Sequence, residues 1–192
     1  MKVMEWSRFL EKGLELKDNF TAMTVGVFDG VHLGHQALLK RVVSHNADFI
    51  PAVVTFRSDY KKNGFGIGNR GSEFKSIQSF QERLDMFKSM GIRIVIVVDF
   101  NDEFRHLRGI EFLELLSKHG SLGFFAVGSG FRCGYRLDTD AKAIRCFFTE
   151  RGIPAEITED VCHIDSLPIS SSRIRAAIAA GDTELAQKML GW

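Results

Sequence analysis

Five short runs of apolar, β-branched or aromatic residues, at 22–28, 49–56, 93–100, 123–127 and 155–158, are nearly continuous rather than alternating. A strand with one face in water alternates apolar and polar side chains, whereas a strand covered on both faces does not. The runs therefore predict a parallel sheet held between helices. Between them lie helical patterns. Apolar residues at 38, 39, 42 and 43 predict a helix over 33–44. Phe80, Leu84, Met86 and Phe87 predict another over 79–90, stopped by Gly91 as a C′ glycine. Further helices are expected over 110–119 and 141–151, ending at Gly120 and Gly152, and over 171–180, ending at Gly181. Asp182 can cap a last short helix through Leu190. Strand–helix alternation of this kind implies an α/β fold, an open parallel sheet with helices on both faces and right-handed crossovers. The polar, glycine-rich segment 57–76 reads as a mobile loop. With no internal repeat and no linker, 1–192 reads as one domain.

Bulk composition narrows the partners. The formal net charge is +1, without the basic excess of a dedicated nucleic-acid binder. The three cysteines, Cys133, Cys146 and Cys162, are odd in number and form no CxxC pair, which supports neither a disulfide framework nor a zinc knuckle. The N-terminus alternates charged and apolar residues with no apolar core of a secretory signal, and no stretch approaches the roughly 20 apolar residues of a membrane helix. A reducing, cytoplasmic setting without membrane or nucleic-acid partners is expected.

The chemistry is concentrated in two stretches. In Thr24-Val-Gly-Val-Phe-Asp-Gly-Val-His-Leu-Gly-His35 an apolar strand runs into Asp29-Gly30, two histidines follow three residues apart, and a helix begins. Ligands of open parallel sheets bind beyond the carboxyl ends of strands, and a helix N-terminus there offers free N–H groups and a positive dipole to an anion. Gly26, Gly30 and Gly34 let phosphate oxygens approach the backbone, and His32 and His35 share one face of the opening turn. A metal pair would need a third ligand from His45, His106, His119, His163 or a carboxylate, none at telling spacing. Asp29 orients a phosphate, helps to hold Mg²⁺, or makes the turn. The second stretch is Pro168-Ile-Ser-Ser-Ser-Arg-Ile-Arg175. Its serines are either simple helix caps or, with Arg173 and Arg175, a second phosphate site, since guanidinium grips phosphate in a bidentate way. Neither a P-loop nor a Gly-x-Gly-x-x-Gly after the first strand is present.

Together these stretches resemble the HxGH nucleotidyltransferase superfamily, and within it the N-terminal adenylyltransferase domain of prokaryotic FAD synthetases. The matching pieces are Gly26-Val-Phe-Asp-Gly-Val-His-Leu-Gly-His-Gln-Ala-Leu-Leu39, Val53-Val-Thr-Phe56, Val97-Val-Asp-Phe100, Ala126-Val-Gly128 with Phe131-Arg132, Ile169-Ser-Ser-Ser-Arg-Ile-Arg175, Gly181-Asp182 and Leu190-Gly191. The resemblance implies a Rossmann-like sheet and transfer of AMP from ATP to FMN, giving FAD and pyrophosphate with Mg²⁺. It further implies that His32, His35 and Arg175 are catalytic. Gly26, Phe28, Asp29, Gly30, Gly34, Gly128, Ser170, Ser171 and Ser172 would bind ATP, and Phe56 and Phe131 the flavin. Mg²⁺ would be held mainly by the ATP phosphates.

The chain departs from the family pattern on the flavin side. Gly130 stands where the family usually has an acidic residue, and Cys133 where it has phenylalanine. Arg57-Ser58-Asp59 replace the usual Pro-His-Pro, and the chain stops at Trp192 where most bacterial members continue into a riboflavin kinase domain. Two alternatives therefore stay open: a related nucleotidyltransferase with another phosphorylated acceptor, and a paralogue that binds nucleotide or flavin without turnover.

Overall fold

The computed structural model describes residues 1–57, 76–159 and 167–192. Six strands form one all-parallel sheet: β1 (Lys2–Glu5), β2 (Thr21–Val25), β3 (Ile50–Phe56), β4 (Ile94–Val98), β5 (Leu122–Gly128) and β8 (Ala155–Thr158), in the spatial order β1-β4-β3-β2-β5-β8. Two shorter strands, β6 (Arg132–Cys133) and β7 (Thr139–Asp140), make an antiparallel hairpin after β5. The five expected apolar runs are the sheet's interior strands and its β8 edge. β1 is an addition. Only Met4 of its four residues is buried, so this outer strand leaves no apolar run to read.

Continuous apolar strands are explained by the two cores. Met23, Val25, Val54, Ile96, Phe125 and Val127 face one side, where α1 (Trp6–Lys12), α5 (Gly109–His119) and α6 (Ala141–Thr149) contribute Phe9, Phe112, Leu116, Phe147 and Phe148. Ala22, Val53, Val95, Val97, Phe124 and Ala126 face the other side, covered by Leu38, Leu39 and Val42 of α2 (Leu33–Val43) and Phe87 of α3 (Phe80–Ser89). The helix starts have local causes. Ser79 and Glu82 form a reciprocal capping box on α3, and Asp140 caps α6. A four-residue helix, α4 (Asp102–Arg105), follows β4 and was not foreshadowed by periodicity. Two C-terminal helices, α7 (Ser171–Ala179) and α8 (Thr183–Leu190, capped by Asp182), share a small apolar cluster of their own with Leu33 and Ile77. No helix among the described residues is long and apolar enough to cross a membrane. The polar stretch expected as a loop lies, at 58–75, outside the described residues.

The order of strands fixes where a ligand can go. From β2 the chain steps to β3 and β4 on one side, and from β5 to β8 on the other, so connections diverge between β2 and β5. That divergence opens a crevice beyond the carboxyl ends of these two neighbours. The hairpin after β5 is fixed beside it. Gly134, at φ +83°, backs against Gly109, and a Cβ there would collide with the Gly109 nitrogen and the Asp138 carboxylate. Asp138 Oδ1 in turn accepts from Gly109 N (3.0 Å) and Thr139 Oγ1 (2.9 Å). Cys133 is buried beneath, with its thiol pushed up to about 12 by burial and then by Asp138, so it is an inert packing group and no nucleophile.

Candidate active site

A cavity of about 400 Å³ fills the crevice between β2 and β5. Its floor is the backbone from Val25 to Asp29. One wall is the first turn of α2, with His32, Gly34 and His35, and the opposite wall is the first turn of α7, with Ser170, Ser171, Ser172 and Arg175. The third side is Gly128, Gly130 and Phe131 after β5, with Thr158 and Glu159 after β8. Two helix N-termini therefore converge on one space, and neither carries an acidic residue in its first turn. The combined dipoles and free N–H groups favour an anion.

The turn that enters this cavity is strained. Phe28 sits at φ +54°, Gly30 at +86° and Val31, a β-branched residue, at +34°. Such conformations cost about 1–3 kcal/mol each at non-glycine positions and persist where surrounding contacts over-determine them. Those contacts are visible. Gln36 Nε2 donates to Val31 O (3.0 Å) and Leu190 O (2.8 Å), and the Trp192 indole donates to Gly30 O (3.2 Å). Gly30 therefore lies behind the cavity wall, gripped from the C-terminus.

The two imidazoles stack with ring centroids 3.7 Å apart and planes 19° from parallel. His32 is the N-cap of α2, and its Nδ1 accepts from His35 N (3.4 Å), which leaves the proton on Nε2 as a donor. His35 lies edge-on to Phe28 (5.1 Å), and its Nδ1 is buried with no hydrogen-bond partner among the described residues. Burial lowers His32 to about 4. Burial, then His32, then Arg83 hold His35 well below the ordinary imidazole value. Both rings are neutral at pH 7, so they offer N–H donors, and the formal positive charge of the cavity is Arg175.

This neutrality has a measurable consequence. An unfolded chain protonates its histidines near pH 6.5. The folded chain refuses the proton until about pH 4 at His32. Stability is thus complete above pH 6.5 and falls as the pH drops from 6.5 towards 4, where the unfolded state binds more protons. Thermal melts at pH 7, 6 and 5 should show a declining midpoint, and His32→Asn should flatten that decline.

Arg175 is held in place by the first motif. Its Nη1 donates to Asp29 Oδ2 at 2.7 Å and its Nη2 to Ser172 Oγ at 3.3 Å. Asp29 is buried, and its Oδ1 accepts from Ile77 N (3.0 Å). Ser171 Oγ donates to Asp29 O (2.8 Å), and Ser170 caps α7 by accepting from Arg173 N (3.2 Å). Beside the three roles open to Asp29 in the sequence, the structure shows a further one: one carboxylate oxygen is engaged by Arg175 and the other by the backbone, so the side chain ties the two motifs together. Arg173 points away, donating to Leu167 O (3.1 Å).

His32, His35, Arg175, Phe28, Asp29, the three serines, Gly26, Gly34, Gly128 and Phe131 thus share one cavity, although their motifs are about 135 residues apart. Phe56 does not line it. Phe56 is buried and packs edge-on to Phe100 (6.2 Å) and Phe104 (5.9 Å). Arg57, first of the residues replacing the usual Pro-His-Pro, is tied to Glu5 (2.6 Å) and Asp99 (2.8 Å) and lies over the Phe80 ring (5.3 Å). It clamps the exits of β3 and β4 to β1. Sequence reasoning missed Arg83, the largest fully buried side chain among the described residues, because an arginine within a helical pattern reads as solvated.

The model of the FAD synthetase family matches residues 15–173. A Geobacillus thermodenitrificans relative named for riboflavin kinase and FMN adenylyltransferase is 31% identical over 192 residues, covering 100% of this chain and 98% of its own. The bifunctional riboflavin kinase/FMN adenylyltransferases of Escherichia coli and Haemophilus influenzae are 29% and 28% identical over 88% of this chain, which spans about half of their length (53% and 54%). A solved Streptococcus pneumoniae structure, described as a macrolide-efflux protein, superposes over 100% of this chain and 60% of its own with a TM-score of 0.80 at 25% identity.

Proposed function

The chain belongs to the FAD synthetase family, and on that footing we propose that it is an FMN adenylyltransferase, joining AMP from ATP to FMN and releasing pyrophosphate. The observation that carries this reading is the convergence of two neutral imidazoles, one guanidinium and two helix N-termini on a single cavity. A triphosphate is the anion such a set of donors suits.

An oxygen of the FMN phosphate attacks the α-phosphorus of ATP in line. The new P–O bond forms as the bond to the pyrophosphate bridging oxygen breaks. The attacking phosphate is already ionised at pH 7, its second pKa lying near 6, so no strong general base is required. Catalysis then rests on positioning and on donors preorganised for the charge of the transition state. The His32 Nε2–H and a ring N–H of His35 are those donors. Arg175 keeps its bond to Asp29 and meets the departing pyrophosphate through its other N–H groups, and the Ser170 and Ser172 hydroxyls with the free amides of α7 hold the β- and γ-phosphates. Mg²⁺, held mainly by the ATP phosphates, would offset the charge that develops on the pyrophosphate. Phe131, in the cavity wall, is the residue best situated to meet the flavin.

The test is one reaction: purified protein, ATP, Mg²⁺ and FMN, with FAD read by chromatography. FAD and pyrophosphate in equal amounts are expected, and none of either under any nucleotide concentration sinks the reading. One observation favours keeping a second acceptor in the assay. Among the described residues, a side chain at Gly130 would meet nothing within 4 Å, where the family usually has a carboxylate. Pyrophosphate release with pantetheine phosphate or nicotinamide mononucleotide, and not with FMN, assigns the chain to that alternative. Tight FMN binding without pyrophosphate assigns it to a carrier role.

A further inference from the structure

Arg83 lies beneath the cavity floor, 1% exposed, and it is not one of the cavity's lining residues. It projects from α3, and the two hydrogens of its Nη1 point to the carbonyls of Val27 and Phe56 (3.0 Å for the latter), with Thr55 Oγ1 also within hydrogen-bond reach at 3.3 Å. Thr55 Oγ1 itself donates to Val27 O at 3.2 Å. Val27 lies two residues beyond the end of β2, and Phe56 is the last residue of β3. Val27 is followed at once by Phe28, the first of the strained residues of the turn. Burying a guanidinium costs several kcal/mol unless its hydrogen bonds are made, and an arginine on a helix has an inexpensive alternative in water. A core this apolar does not need a cation for packing, since a methionine of similar reach fills the space. What an apolar side chain cannot do is hold the carbonyl of the turn after β2 and the carbonyl that ends β3 at one point.

We propose that Arg83 is a positioning residue for the triphosphate end of the nucleotide site. It ties the Val27 carbonyl, in the turn after β2, to the Phe56 carbonyl that ends β3, so that the turn 27–31 keeps the shape that presents His32, His35 and the first turn of α2 to phosphate. The inference deepens the adenylyltransferase reading and rests on it for the identity of the ligand. It concerns the phosphates and not the base, because the residues above Arg83 are those of the first motif, whereas Gly128, Thr158 and Glu159 bound the far side of the cavity.

The distinguishing readout is a ratio of affinities. ATP and adenosine dissociation constants are measured by calorimetry on the full chain, for the wild type, Arg83→Met and Arg83→Lys. Loss of the held turn is expected to weaken ATP about tenfold or more in Arg83→Met, the value of one or two hydrogen bonds to a charged ligand, while adenosine changes less than about threefold. Lysine, with a single ammonium to share among the carbonyls, should recover at least half of the lost preference on a logarithmic scale. A folded Arg83→Met whose ATP-to-adenosine ratio equals that of the wild type overturns the proposal, as does equal weakening of both ligands. Failure of Arg83→Met and of Arg83→Gln to fold makes the residue purely structural and overturns it as well. None of these readouts depends on turnover, so a wild type that binds ATP but makes no FAD refutes the function assigned above and leaves this test intact.

Discussion

His35→Ala and His32→Asn are each expected to lower the turnover number about 10²-fold or more, the loss that follows removal of one preorganised donor from an anion-stabilising site. The two rings are stacked 3.7 Å apart and both neutral, so each contributes one N–H and neither contributes formal charge. Asparagine is chosen at 32 because it retains an acceptor for the His35 amide at the helix N-cap, a contact otherwise worth about 1 kcal/mol of helix stability. Loss of activity then reports chemistry and not an unravelled α2. Because neither ring titrates between pH 7 and 8, and the attacking phosphate is ionised above its second pKa near 6, the wild-type turnover number should be nearly level between pH 7 and 8. Steady-state FAD formation from ATP and FMN measures both effects. Near-normal rates in the two folded variants would remove the imidazoles from the mechanism.

The second large effect concerns Arg175. Arg175→Ala should weaken ATP about 10²-fold, since a guanidinium on phosphate is a strong, charge-assisted pair. The same substitution should also destabilise the fold, because it leaves the Asp29 carboxylate buried with the Ile77 amide as its remaining described partner. The two consequences separate in a double variant. Asp29→Asn added to Arg175→Ala removes the stranded charge and should restore much of the thermal midpoint, while ATP affinity stays low. If affinity and midpoint recover together, Arg175 acts only as the partner of Asp29. A melting curve and an ATP titration on four proteins give the answer.

The sheet was legible because its strands are covered on both faces, which leaves unbroken apolar runs at 50–56 and 94–98. Helix limits followed from caps with a local cause, such as Ser79 and Asp182. β1 was not legible, because an edge strand with one buried residue has no period to detect. The hairpin after β5 was hidden for another reason: its tight turn relies on Gly134 meeting Gly109, a contact between residues 25 apart that neither position announces alone. In the cavity, residue types and spacing identified the two histidines, the serines and Arg175. They could not give the tie between Arg175 and Asp29, which spans 146 residues, nor the burial of Arg83, whose nearer acceptors are backbone carbonyls and so carry no sequence signal. Phe56 shows the limit in the opposite direction, since an aromatic residue after a strand reads alike whether it faces a ligand or the core.

The indole resting on the Gly30 carbonyl gives the molecule a built-in optical probe. The chain has two tryptophans. Trp6 is enclosed by Phe9, Phe104 and Phe112 on the far face of the sheet, whereas Trp192 is 53% exposed and touches the strained turn itself. With Trp6→Phe, emission comes from one fluorophore, and a change in it on adding nucleotide is expected if the turn shifts when an anion binds. Stopped-flow quenching can then time nucleotide arrival on the unlabelled protein, apart from any flavin signal.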